Sequence, residues 1–110
     1  MRCPSTLKTT AITLLLMFPA PTGQAEALQQ RGEIIARGLC SQCHAIGSTG
    51  DSPHPAAPRF RVLDNQTDLS KLSQRIREGL LTGHEDMPLF RFDRNDADAM
   101  VAYIRSVQGP

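Results

Sequence analysis

Cys40-Ser41-Gln42-Cys43-His44 brings two thiols and an imidazole together within little more than one helical turn. Two intervening residues set the sulfurs at about the separation of the two vinyl groups of a haem. Each S–H can then add across one vinyl double bond to form a thioether. His44, the next residue, is carried under the iron, where its Nε2 can bind axially. Two other chemistries use the same residue types. A dithiol redox pair stands just after a strand, at a helix N-terminus that depresses a thiol pKa. Here the pair closes a helical pattern, with no strand before it. Zinc would need Cys40 and Cys43 with two of His44, His54 and His84. The adjacency of His44 to Cys43 makes tetrahedral use of all three awkward.

Upstream of this segment the chain opens with Arg2 and Lys8, then an apolar run from Ala11 to Pro19, then Gly23-Gln24-Ala25. That order is a secretory signal peptide over residues 1–25, with cleavage expected after Ala25. A retained membrane anchor would need roughly 20 apolar residues, and Pro19 and Pro21 interrupt a shorter core. No stable membrane insertion is expected after cleavage. Cys3 lies too close to the start for a lipoprotein cleavage site. The domain proper is then residues 26–110, which leaves 85 residues. A periplasmic or otherwise exported location is expected.

Those 85 residues carry 10 basic and 11 acidic side chains. Such a balance argues against nucleic acid, which needs a basic face. Only Cys40 and Cys43 remain, too close together to brace a small fold by closing a loop. A domain of this size is near the limit of what a core alone stabilises. The chain has no Trp, and a haem would supply the missing interior.

Three segments read as helices. The first spans about Ala27 to Cys43, with Leu28, Ile35, Leu39 and Ile46 near helical spacing and Glu33 and Arg37 paired at i,i+4. Gly32 and Gly38 weaken it, and a glycine inside a helix suggests close approach by another element. The second spans about Asp68 to Leu80, capped by Thr67 or Asp68, with Leu69, Leu72, Ile76 and Leu80 as its stripe. Gly79 and Gly83 mark its end. The third spans Asn95 or Asp96 to Val107, with Asn95 as a candidate cap. Its buried face is Met100, Val101, Tyr103, Ile104 and Val107. Residues 47–66 are rich in Gly, Ser and Pro, and Pro53, Pro55 and Pro58 forbid regular helix there. No strand pattern is convincing, so the fold class is all-α with long loops.

An iron that only carries electrons needs a second axial ligand. Met87 is the best candidate. Pro88 pushes it out of helical geometry, onto a loop that can cross the far face of the haem. A thioether ligand raises the reduction potential relative to a second histidine. His84 is the other candidate. His54, between prolines, reads as exposed, and Met100 as core.

At these positions the chain resembles the class I cytochrome c family, in particular its short bacterial members with one haem. The resemblance covers nearly all of residues 26–110. It implies about three helices with long loops wrapped around one covalent haem c and its iron. In that family an N-terminal helix crosses a C-terminal helix at a glycine, which Gly32 matches, facing an aromatic that Tyr103 matches. Pro58 matches a proline whose carbonyl accepts the axial histidine's Nδ1–H, orienting the ring. Phe60 matches an apolar residue packed on the haem, and Met87-Pro88 with Phe90 matches the loop of the sixth ligand. Ala57 stands where the family has glycine, and the family's propionate-contacting tryptophan has no counterpart. Arg59, Arg61 and Arg91 are the candidate propionate partners.

The function implied is one-electron transfer, with His44 and Met87 as axial ligands, no catalytic residue, and transient redox protein partners met as a monomer. A haem-bearing subunit of a larger redox enzyme needs the same site. A gas sensor or peroxidase-like protein would follow if Met87 were not a firm ligand.

Overall fold

The computed structural model describes residues 22–79 and 85–109. Most of the expected signal peptide, and with it Leu80, Gly83 and His84, lies outside the described residues. Three α-helices form, α1 (Thr22–Leu39), α2 (Leu69–Arg77) and α3 (Arg94–Ser106), with a 3-10 helix at Phe60–Asn65. Among the described residues there is no strand. The all-α class stands.

The boundaries differ from the periodicity in instructive ways. α1 stops at Leu39, and the five residues after it wind through turns rather than continuing the helix. Ser41 N–H reaches back to the Ala36 carbonyl at 3.1 Å, and Ser41 Oγ donates to the Arg37 carbonyl at 2.6 Å. Those bonds satisfy carbonyls that a helix end leaves open. Asp68 caps α2 by accepting from Ser70 N–H at 2.9 Å. Gly79 ends it in a left-handed conformation, φ +69, where a side chain would be strained. α3 is capped by Asp93 rather than Asn95, because Asp93 lies three residues before Asp96 and accepts its N–H at 2.8 Å. The 3-10 helix was not expected in a segment read as loop. Its short run has weak periodicity, and the bonds that fix it come from far away. The Gln108 side chain donates to the Phe60 carbonyl and accepts from Asp64 N–H at 3.0 Å.

α1 packs across α3 on the face its aliphatic spacing marks, where Ile35 packs against the core, but small residues on that face make the closest contact. Gly32 and Ala36 are its buried residues, while Leu28 and Leu39 are exposed. The reason is distance. A Cβ built on Gly32 would lie 2.0 Å from the Ala99 carbonyl oxygen and 2.7 Å from Tyr103 Cβ. Only small residues permit two backbones to approach so closely. Gly32 and Tyr103 therefore meet at the crossing, as the family resemblance implied. Arg31 and Asp96 pair across the same crossing at 2.6 Å, an exposed ion pair of small energetic weight. Tyr103 Oη donates to the Ile46 carbonyl at 3.1 Å, which ties the stretch after the thiols to α3. The core then runs through Ala36, Phe60, Leu72, Ile76, Met100 and Ile104.

Candidate functional site

The end of α1 delivers both thiols to one wall of a hollow. Cys40 N–H bonds the Ala36 carbonyl at 2.9 Å, and His44 N–H bonds the Cys40 carbonyl at 2.9 Å. These turns keep Cys40 buried and Cys43 and His44 half-buried. Neither thiol is in a disulfide. Burial, and then the neighbouring Cys43, push the Cys40 thiol up to about 11. A dithiol exchange centre needs the opposite shift, so the environment suits a thiol converted to a thioether better than a redox-active one. Among the described residues no group of three His, Cys, Asp or Glu is placed to hold a metal ion.

The loop after His44 folds back under its ring. Ala45 N–H bonds Ser52 Oγ at 3.0 Å, His54 N–H the Cys43 carbonyl at 3.1 Å, and Phe60 N–H the Ala45 carbonyl at 2.9 Å. These bonds place the Pro58 carbonyl 2.7 Å from His44 Nδ1. A carbonyl only accepts, so Nδ1 carries the ring proton and donates it. The lone pair is left on Nε2, the atom available to an iron. Phe60 packs against the imidazole with ring centres 5.2 Å apart and planes tilted by 48°, which restricts the ring further.

The hollow has two lobes. The outer one, about 500 Å³, is lined by Cys40, Cys43 and His44 on one side and by His54, Met87 and Pro88 among others. The inner one, about 320 Å³, again has Cys40, His44 and Met87 in its wall, with Phe60, Leu72, Met100 and Ile104 behind them. Both volumes fall in the ~300–1,000 Å³ range of cofactor sites. Met87, half-buried, thus borders the same space as His44 in both lobes. Phe90 borders both as well and lies 6.0 Å from Phe92, centre to centre. The donor set fits a haem: two thiols, an imidazole with a free Nε2, a thioether, and an apolar interior.

His54 is half-exposed, close to its expectation, and its Nε2 pairs with Asp86 at 3.4 Å across the outer lobe. Met100 is core, 3% exposed. His84 lies outside the described residues. Two of the propionate candidates are otherwise engaged. Arg59 pairs with Asp51 at 3.3 Å, and Arg61 donates to the Gly50 carbonyl at 2.6 Å. Arg91 is exposed, and none of the three lines either lobe. Gln66, Thr67 and Arg75 line the inner lobe instead. Sequence reasoning missed them, although Arg75 follows Leu72 by three residues and so sits at the edge of the α2 stripe.

A family model described as Cytochrome c matches residues 29–108. Cytochrome c-552 of Bradyrhizobium diazoefficiens is 28% identical over 98 residues, covering 88% of this chain and 92% of that protein. No solved structure matches the chain.

Proposed function

The chain belongs to the cytochrome c family, and from that premise we propose that it is an exported one-electron carrier whose single haem c is held by Cys40, Cys43, His44 and Met87. Membership brings the covalent haem c, its iron and the cytochrome c fold, and it supports electron transfer as the role. When bound, the haem supplies an iron that cycles between ferric and ferrous states. The chain's residues do the rest.

Cys40 and Cys43 tether the group at the end of α1. His44 offers Nε2 because the Pro58 carbonyl holds the proton on Nδ1. Met87, from a loop that borders both lobes, would supply a thioether ligand to the iron, and the apolar inner wall excludes water. With His44 and Met87 both holding the iron, no site would remain for a substrate. The observation that carries this reading is the shared hollow: His44 and Met87 line both of its lobes.

Export rests on the basic start, apolar run and small residues of the first 25 positions. Among the described residues no helix is long and apolar enough to cross a membrane. Cleavage after Ala25 would trim the first residues of α1 and leave the Gly32 crossing intact. The carrier then acts as a monomer, exchanging electrons with redox proteins in brief encounters at the outer lobe. Such contacts belong to the small end of interface sizes.

The test is the absorption spectrum of the exported protein, oxidised and reduced, into the near-infrared. A low-spin ferric haem with the methionine–iron charge-transfer band is expected. A high-spin resting state would refute the His/Met assignment.

A further inference from the structure

The loop that offers Met87 has few ties to the rest of the molecule. Phe92 packs against the core where the loop runs into α3. Glu85, Asp86, Met87 and Pro88 instead border the open outer lobe. There Asp86 Oδ2 stands 3.4 Å from His54 Nε2. Among the described residues, no other ion pair or hydrogen bond joins residues 85–92 to the rest of the chain.

His54 is the firm end of this contact. Its backbone N–H bonds the Cys43 carbonyl at 3.1 Å, and its own carbonyl accepts Ala57 N–H at 3.1 Å. Its Nδ1 accepts Ala56 N–H at 3.2 Å. A ring nitrogen that accepts carries no proton, so the proton of the neutral imidazole lies on Nε2. That N–H faces the Asp86 carboxylate, which only accepts. The contact thus links a ring fixed to the haem-attachment segment with the residue that immediately precedes Met87.

We propose that His54 is a positioning residue for Met87, strapping the Met87 loop across the outer lobe through Asp86. The strap sets how often the loop lies open and does not touch the metal. The Asp86 side chain is 81% exposed, so the contact has the modest strength of a surface pair. A modest tie matters at this place, because a loop with few other bonds opens locally at small cost. The inference rests on the His/Met reading above.

The test uses the haem-loaded protein as parent, His54→Asn, His54→Gln, Asp86→Ala and the double variant of His54→Asn with Asp86→Ala. Asparagine keeps an oxygen near the Nδ1 position for Ala56 N–H but is too short to reach Asp86. The amide nitrogen of glutamine reaches about as far as Nε2. Imidazole is titrated into the ferric protein at one fixed pH, where it competes with Met87. Loss of the methionine–iron charge-transfer band reports its binding. The apparent affinity scales with the fraction of loop that is open. His54→Asn and Asp86→Ala should each raise it about 2- to 5-fold, and His54→Gln should lie closer to the parent. The double variant should rise no further than either single one. An unchanged affinity in either single variant, effects that add in the double one, or a His54→Gln protein that tracks His54→Asn refutes the strap.

Where His54→Asn does not retain haem, the exposed Asp86→Ala variant decides, and an affinity at the parent value overturns the proposal. A parent that lacks the methionine–iron band refutes the His/Met reading and the strap together. A parent that shows the band, with variants of unmoved imidazole affinity, refutes the strap alone.

Discussion

Replacing Gly32 by alanine adds one methyl group at the tightest point of the molecule. Its Cβ would lie 2.0 Å from the Ala99 carbonyl oxygen, 2.6 Å from the Ala99 carbonyl carbon and 2.7 Å from Tyr103 Cβ. Two of these three are backbone atoms, which no rotamer change can move. Ordinary contact begins near 3.4 Å, so α1 and α3 must separate by more than 1 Å. A gap of that size along Ala36, Met100 and Ile104 forfeits roughly half or more of each dispersion contact. Overpacking of this kind costs about 3 kcal/mol. The better helix propensity of alanine returns about 1 kcal/mol, leaving a net loss of about 2 kcal/mol. For a domain of this size that is a fall in Tm of roughly 8–16 °C. Thermal unfolding of haem-loaded protein, followed by far-ultraviolet circular dichroism and by the Soret band, measures it. Gln30→Ala is the control, on an exposed position of the same helix that lines neither lobe. It should stay within about 0.5 kcal/mol of the parent. A Gly32→Ala protein as stable as the Gln30→Ala protein would mean that the helices do not cross there.

Replacing Cys40 and Cys43 together by alanine should abolish haem that survives denaturing electrophoresis, and persistence of that stain would refute the attachment reading. Met87→Ala should open the sixth coordination position and lower the potential; an unchanged near-infrared spectrum would remove Met87 from the ligand set. Tyr103→Phe takes the donor from the Ile46 carbonyl and should cost about 1 kcal/mol in denaturant titrations. Burial first, and the Glu33 charge second, hold the Tyr103 hydroxyl above its ordinary value near 10. Its neutral form is therefore favoured by folding, and that contribution is complete below about pH 10 and is lost as pH rises through the folded value. The parent should accordingly lose stability above about pH 10 more steeply than Tyr103→Phe, and parallel alkaline profiles would contradict the assignment. Asp93→Ala removes the cap on Asp96 N–H and should cost about 1 kcal/mol by the same thermal assay.

What the chain discloses on its own is what a few neighbouring residues determine. The Cys40–His44 spacing carries its chemistry within five positions. Asp68 and Gly79 bound α2 through bonds and dihedrals local to them, and the stripe of α3 is read directly from its period. The face of α1 was legible in the same way, and Ile35 and Ile46 of its stripe pack against the core. The residues that bury most on that face, Gly32 and Ala36, were not, and Leu28 and Leu39 are exposed. No period distinguishes a glycine that weakens a helix from one that admits a second backbone to 2.0 Å; here the family resemblance supplied the answer.

The hollow shows the same division. His44, Pro58 and Met87 stood out as residues, by motif or resemblance. Their common site depends on a loop folded back on itself, which sets Pro58 O against His44 Nδ1 across fourteen positions. Gln108 holds the 3-10 helix from 48 positions away, and Arg75 lines the inner lobe because α2 packs on α3. Sequence determined which groups are present and where α2 begins and ends, since hydrogen bonds within one turn decide that. Tertiary structure alone decided which of several equivalent arginines meets the hollow and how closely the backbone of α1 approaches α3. Those outcomes depend on surfaces that come together only when distant segments pack, and packing acts through space rather than along the chain.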